Sequence, residues 1–377
     1  MNETTDVLKW EESRLNSVAN PIKGLVLAGG TGTRLRPITY TSAKQLVPLA
    51  NKPILFYGLE SLARAGIQEV AMIVGDTRHE VMAAVGDGSQ FGMKVTYLHQ
   101  EKPLGLAHCV LMARDILADS DFIMYLGDNF IRDGVEGFVD SFSKRTDGTN
   151  AQILLAKVPD PQRFGVATLN DDGNIVSLVE KPKVPESNLA LVGVYLFDAS
   201  IHEAVRSISP SARGELEITD AIQWLISNGK KVRSHIVEGY WKDLGEPEAL
   251  LEGNRLVLES IGRSIEGDVD ELSTLDGRIV LESGAVVVRS IIRGPAVVGR
   301  GTVIKDSFIG PFTSIAAGCV IESSEVEHSI ILNGSQIVGI HRLEGSIIGK
   351  SVVVAKTERR PLATRLVVGD HSRVDLG

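Results

Sequence analysis

Eleven residues near the start of the chain, Leu27-Ala28-Gly29-Gly30-Thr31-Gly32-Thr33-Arg34-Leu35-Arg36-Pro37, combine three glycines, two threonines and two arginines. The run is not a Walker loop, which needs G-x-x-x-x-G-K-[ST]. Nor is it a G-x-G-x-x-G turn, because Leu35 stands where the third glycine belongs. Glycines still let backbone N–H groups approach phosphate oxygens, and the Arg34 guanidinium adds a fixed cationic fork. Lys44 adds a second cation ten residues on. Taken alone, these residues suit a structural turn as well as a phosphate site. Other groups carry the same double meaning. Asp128 after Gly127 could ligate a cation or close an Asx-turn, and Asp243 beside Lys242 could ligate a cation or be a surface charge. Lys181 before Pro182 is a candidate anion holder or a solvated loop lysine. Glu215 and Glu217 suit the entry of a helix at 218–226, and Trp241 suits packing. His328 and His341 read as surface histidines rather than catalytic bases.

These residues need a scaffold. Residues 22–28 form an apolar run ending at Gly29-Gly30, which predicts a buried strand entering a glycine loop. Pro53 to Ala65 carries helical signals and stops at Gly66. Strand patterns recur at 70–74, 95–98 and 122–126, with helical stretches at 77–85 and 106–117 between them. This alternation predicts a mostly parallel, Rossmann-like sheet with helices on both faces. Ligands of such sheets sit beyond the carboxyl ends of the strands, where Gly29-Gly30 and Gly127-Asp128 fall.

The pattern changes near residue 265. Helical periodicity stops, and Ile279, Ala285, Ile291, Val297, Val303, Ile309, Ile315 and Ile321 recur at a spacing of six. Glycines fall between them. This predicts a left-handed parallel β-helix with one apolar residue per side pointing inward. The register slips near Glu327.

At 377 residues the chain is too long for one ordinary core. The net charge of -9 argues against nucleic acid as a partner, while a small anion needs only a few placed Arg and Lys. The two cysteines, Cys109 and Cys319, fall in different predicted domains, so no disulfide framework is expected. The first twenty residues lack the plan of a secretory signal, and no apolar run is long enough to span a membrane. A cytoplasmic enzyme is expected. Residues 6–18 could form a short amphipathic helix or a loose tail.

The motifs also occur in a familiar order. The glycine loop is followed by Lys44-Gln45-Leu46-Val47-Pro48, Lys52-Pro53 and Gly86-Asp87-Gly88. Gln100, Gly105-Leu106-Ala107, Leu126-Gly127-Asp128-Asn129 and Arg163-Phe164-Gly165-Val166 come next. Then come Glu180-Lys181-Pro182, Gly193-Val194-Tyr195, residues 213–220 (RGELEITD) and Trp241-Lys242-Asp243-Leu244-Gly245. Over about residues 22–255 this series resembles the sugar nucleotidyltransferases, most closely the branch acting on dTTP and glucose 1-phosphate. The tail resembles the longer members of that branch. The resemblance implies an N-terminal extension at 1–21, a nucleotidyltransferase domain at 22–260 and a hexapeptide β-helix domain at 265–377.

The resemblance also implies roles. A sugar phosphate oxygen would attack the α-phosphorus of the triphosphate. A phosphate monoester is already largely dianionic at pH 7, so no general base is required. Repulsion between polyanions is the obstacle, which calls for cations and Mg²⁺ held by carboxylates, here Asp128 and Asp243. Arg34 and Lys44 would hold the β- and γ-phosphates, with Leu27, Gly29, Gly30, Thr31, Gly32 and Thr33 around the nucleotide. Gln100 would read the pyrimidine edge, with Gly29 and Gly105 near the base. Lys181 and Arg213 would hold the sugar phosphate, Glu180 would take sugar hydroxyls, and Gly165 and Gly193 would offer backbone contact. Arg34, Lys44 and Lys181 would be the catalytic cations. The β-helix is expected to serve self-association, giving a homo-oligomer, and residues 22–255 are expected to fold without it. The same chemistry with UTP or another sugar phosphate, an acyltransferase tail, and an inactive sugar-nucleotide sensor are the alternatives.

Overall fold

The computed structural model describes residues 21–237, 239–356, 368 and 371–374; the helix considered at 6–18 lies outside them. The chain forms two compact units, Met1–Gly30 with Gly58–Trp241, and Thr31–Tyr57 with Lys242–Gly377. The glycine loop is thus shared between them.

In the first unit, β1 (Lys23–Ala28) is buried from Gly24 onward, because neighbours cover both faces of a central parallel strand. Helix α1 (Ile54–Arg64), β2 (Glu69–Val74), α2 (Arg78–Val85), β3 (Lys94–His99), α3 (Leu106–Met112), α4 (Arg114–Leu117) and β4 (Phe122–Leu126) follow. Strands β4, β1, β2 and β3 lie side by side and parallel. After β5 (Asn129–Ile131) and α5 (Glu136–Ser143) the plan changes. Strands β6 (Thr149–Lys157), β7 (Gly165–Leu169), β8 (Ile175–Glu180) and β9 (Leu189–Phe197) complete most of a nine-stranded sheet. Strand β9 runs antiparallel to β4, β6 and β7, and β8 antiparallel to β7. The sheet is therefore mixed, where the sequence pattern predicts a mostly parallel one. The physical reason lies in short connections: Asn170 accepts hydrogen bonds from the Asp172 and Asn174 backbone N–H groups and closes the β7–β8 turn, too short for a crossover helix.

Helices α6 (Ile201–Ser207) and α7 (Ile218–Ser227) pack together on this sheet. Ile218, Ala221, Ile222 and Leu225 give α7 an inward stripe at helical spacing. That stripe joins Leu25, Ile73, Phe122, Met124, Ile153, Tyr195 and Phe197 in one core. Each leucine, isoleucine, methionine or phenylalanine among them contributes about 1.5–3 kcal/mol of burial. Strand β10 (Lys231–Ile236) adds to the sheet beside β6.

The second unit contains the segment 31–57, α8 (Pro247–Glu259) and the C-terminal β-structure. From Ser264 to Ala355 the chain winds through three parallel sheets of six, six and five strands, an arrangement consistent with the predicted left-handed β-helix. Most partners lie 17 residues apart, as in Ile279 beside Ala296 and Ala296 beside Thr313. A 17-residue coil does not hold a six-residue phase. Ile279, Ala285, Ile309, Ile315 and Ile321 enter the core as expected. Ile291 and Val303 instead face outward and are exposed, and Ile292 and Ile304 take the inward places. Val297 is buried but lies outside that core, between Ala296 and Val298, which belong to it. The slip near Glu327 is real: Ser314 pairs with Ile330, a step of 16.

Candidate active site

The carboxyl ends of the parallel strands carry several predicted site residues. Leu27 is buried in β1, and the Gly127 N–H donates to its carbonyl at 2.9 Å. Gly29 lies against Gly75 at the end of β2, and a Cβ on Gly75 would come within 2.5 Å of the Gly29 carbonyl. Gly30 beside it is exposed. Gln100 follows β3. Its amide nitrogen lies 3.0 Å from His108 Nδ1 and 3.4 Å from Cys109 Sγ, which tie the side chain to α3. Burial pushes the Cys109 thiol up to about 12, so it stays a neutral neighbour. Gly105, at φ +102°, starts α3; a Cβ there would meet the Leu216 carbonyl at 2.3 Å. That close approach requires glycine.

Asp128 begins the turn into β5 and is nearly buried. Asn129 donates to its carboxylate at 3.4 Å and accepts from the Trp241 indole N–H at 2.6 Å. Trp241 also meets Phe164 edge-on, so it packs and orients. Gly193 abuts the same place: a Cβ there would strike Leu126 and Asn129.

A tight charged cluster lies where β8 meets α7. The Arg213 guanidinium reaches Glu217 at 2.9 Å, Glu180 at 3.3 Å and Glu215 at 3.4 Å. Lys181 Nζ lies 3.6 Å from Glu180. Burial raises the Glu180 carboxyl, Lys181 opposes, Glu217 adds and Arg213 opposes. Burial works against the Arg213 charge, but Glu217, Glu215 and Glu180 outweigh it and raise its pKa. Gly165 borders the cluster, with Thr219 and Glu180 where its side chain would be. Glu217, read from sequence only as a helix-entry acid, does precede α7, yet its buried carboxylate also anchors Arg213 and accepts from Ser211 at 2.7 Å. Residues 213–217 are not helical, so their spacing of four carried no signal of this pairing.

The second unit carries the remaining residues. Thr31, Thr33 and Arg34 are exposed, while Leu35 is buried and anchors a short turn at Thr33–Leu35. Gly32 has φ +64°, and a Cβ there would lie 2.9 Å from Lys44 Cβ, so glycine lets the loop pack on Lys44. Arg34 pairs with Asp243 at 3.3 Å and Glu246 at 3.2 Å. The Gly245 N–H donates to the other Asp243 oxygen at 3.1 Å.

Among the described residues, no three His, Cys, Asp or Glu side chains gather as a metal cage. Asp128 and Asp243 offer only hard carboxylate oxygens. Carboxylate oxygen is the donor chemistry of a hard cation that completes its shell with phosphate oxygens and water. No described helix is long and apolar enough to cross a membrane.

Glycine turns and aspartates at the ends of parallel strands, with arginines held by carboxylates, equip an α/β enzyme for phosphate-linked substrates. Residues 23–260 match the nucleotidyl transferase family. The chain is 58% identical over 355 residues to a glucose-1-phosphate thymidylyltransferase of Streptomyces griseus, covering 94% of this chain and 99% of that protein. A thymidylyltransferase of the same description from Streptomyces antibioticus is 57% identical over 357 residues, with the same two coverages. A solved Bacillus anthracis structure described as a glucose-1-phosphate thymidylyltransferase, with sucrose bound, is 34% identical. It superposes with a TM-score of 0.59 over 64% of this chain and 97% of that one. The chain belongs to the nucleotidyl transferase family. Nucleotidyltransferases of this family are generally metal-dependent.

Proposed function

We propose that the chain transfers the thymidylyl group of dTTP to glucose 1-phosphate, giving dTDP-glucose and pyrophosphate for deoxysugar biosynthesis in the cytoplasm. The observation that carries this is 58% identity to a thymidylyltransferase across nearly the whole of both chains. A phosphate oxygen of glucose 1-phosphate forms a bond to the α-phosphorus, and the bond from that phosphorus to the α–β bridging oxygen breaks. Pyrophosphate leaves with the electron pair. No proton transfer is needed, because the nucleophile is already anionic.

Residues 22–260 carry the chemistry and 265–377 serve support and self-association into a homo-oligomer. Lys181 and Arg213 hold the sugar phosphate, and Glu180 accepts from sugar hydroxyls beside Gly165 and Gly193. Arg34 and Lys44 hold the β- and γ-phosphates and steady the leaving pyrophosphate. Gln100 reads the pyrimidine edge, its amide fixed by the contacts to His108 and Cys109. Asp128 and Asp243 hold Mg²⁺, which supplies charge neutralisation on the phosphates when bound. On this reading the ion pairs of Arg34 belong to the substrate-free enzyme, and phosphate oxygens take over the guanidinium on binding. Pyrophosphate release measured over a matrix of dTTP, UTP, ATP and several sugar 1-phosphates with Mg²⁺ tests the proposal. Fastest turnover with dTTP and glucose 1-phosphate is expected. Preference for another pair, or no release with any, overturns it.

A further inference from the structure

Two contacts tie the segment around Lys44 to the β-helix and a third ties it to α8, all inside the second unit. Before Lys44, Ser42 Oγ accepts from Lys350 Nζ at 3.0 Å. After it, the chain turns tightly at Ala50-Asn51, between the paired residues Pro48–Leu49 and Lys52–Pro53. Both turn residues have positive φ, 46° and 65°, a conformation that alanine adopts only at a cost. The turn is held at its tip. Asn51 Nδ2 donates to the Ile315 carbonyl at 2.8 Å. The Ala50 N–H donates to Asn254 Oδ1 at 2.8 Å.

Asn254 lies on α8 and is fully buried. The same Oδ1 accepts from Ser314 Oγ at 2.9 Å, and its Nδ2 donates to the Phe312 carbonyl at 3.1 Å. One amide thus joins the turn, the helix and a β-helix strand. Only a side chain with an acceptor and a donor on one planar group satisfies all three partners. Gly253 lets the helix come this close: a Cβ there would meet Leu244 at 2.9 Å and Leu49 at 3.3 Å. A buried, fully bonded polar group specifies one arrangement and is costly to disturb.

We propose that Asn254, with Ser314, is a positioning residue for the phosphate-holding loop, so that the β-helix sets where Lys44 and Arg34 stand. The proposal rests on the reading of those two cations as triphosphate holders. Binding groups displaced by about 1 Å can cost on the order of 100-fold in rate. Asn254 touches no substrate and acts through the turn. Asn254→Leu keeps the approximate size and removes every bond. Ser314→Ala removes one of the links to the β-helix, leaves the Phe312 and Ile315 carbonyls in place, and is the variant that folds if the first does not.

The test is steady-state kinetics of the full chain, with dTTP, glucose 1-phosphate and Mg²⁺, each substrate varied. Lys44→Ala is the reference. Asn254→Leu should lower kcat/KM for dTTP about 10-fold or more, and Ser314→Ala by a smaller factor in the same direction. KM for glucose 1-phosphate should stay within about twofold. Adding Asn254→Leu to Lys44→Ala should cost less in the dTTP parameter than Asn254→Leu costs alone, since only the Arg34 part of the positioning remains to be lost. A fall in kcat matching lost folded protein, with both KM values unchanged, would mean a merely structural role and overturn the proposal. Normal dTTP kinetics in Asn254→Leu and Ser314→Ala, beside a damaged Lys44→Ala, would overturn it too. If Lys44→Ala itself is normal, the phosphate assignment fails and the positioning proposal falls with it.

Discussion

Two arginines, one in each unit, are both held by carboxylates, but by very different ones. Arg213 is gripped by Glu217, whose side chain is 4% exposed and whose carboxylate also accepts from Ser211. Arg34 is held by Asp243 and Glu246, 23% and 35% exposed, and is itself half exposed. A buried carboxylate with two donors makes a rigid mount, because releasing the arginine would strand a charge. Solvated partners cost little to leave, because water replaces them. The first cluster is built before substrate arrives, and the second can change partners. On the proposed reading, a loop that holds a triphosphate and then releases pyrophosphate needs the second kind.

The comparison breaks most visibly at the aspartates. Asp128→Asn and Asp243→Asn keep size and remove charge, and each should lower kcat by at least ~100-fold, about 3 kcal/mol. Full activity of either variant at ordinary Mg²⁺ would remove that residue from the metal site. The arginine and lysine variants sharpen the division of labour. Arg34→Ala should damage turnover more than affinity for glucose 1-phosphate, and Lys181→Ala should weaken sugar-phosphate binding more, each by ~2–3 kcal/mol. The reverse pattern in kinetics with both substrates varied would exchange the two roles.

Much of this was legible in the residues. Gly29, Gly32 and Gly105 stood out by type, and each meets backbone or side-chain atoms where a Cβ would be. The strand ends bearing Gly29 and Asp128 followed from apolar runs closed by glycine. Two things were not legible. The antiparallel part of the sheet depends on turns whose side-chain bonds, such as those of Asn170, have no periodicity to reveal them. The inward phase of the β-helix depends on coil length. A 17-residue coil carries Ile291 and Val303 outward, although a six-residue ruler counts them inward. Asn254 was invisible for a third reason: its partners, Ala50 and Ser314, lie far from it along the chain.

Stability separates the two mounts where kinetics cannot. Arg213→Ala leaves the buried Glu217 carboxylate without its main partner and should cost about 1–3 kcal/mol. Arg34→Ala frees two solvated carboxylates and should cost under ~0.5 kcal/mol. Thermal melting of both variants, without substrate, should show a clear drop for the first and almost none for the second. Equal drops would mean that the mounts do not differ in rigidity.

The smallest effect concerns protons in the rigid cluster. Glu180 has its carboxyl raised above the ordinary 4.5, chiefly by burial, with Lys181 opposing, Glu217 adding and Arg213 opposing. A carboxyl whose folded value is raised binds its proton more tightly in the folded state. Its ionised form therefore costs folded stability, while the protonated form does not. The cost is absent below the unfolded value, grows as pH rises through the folded one, and is constant above it. Glu180→Gln cannot ionise, so it escapes that cost but keeps an acceptor for Thr219. The melting temperature of the variant relative to the native chain should rise with pH across that window and level off towards neutrality. Asp220, raised by burial and by Glu217, titrates in both proteins and largely cancels in the difference. The same substitution should weaken glucose 1-phosphate binding at neutral pH, if sugar hydroxyls donate to the carboxylate. Parallel melting curves from acid to neutral pH would show that Arg213 and Lys181 fully offset the burial, and that the cluster is neutralised as well as rigid.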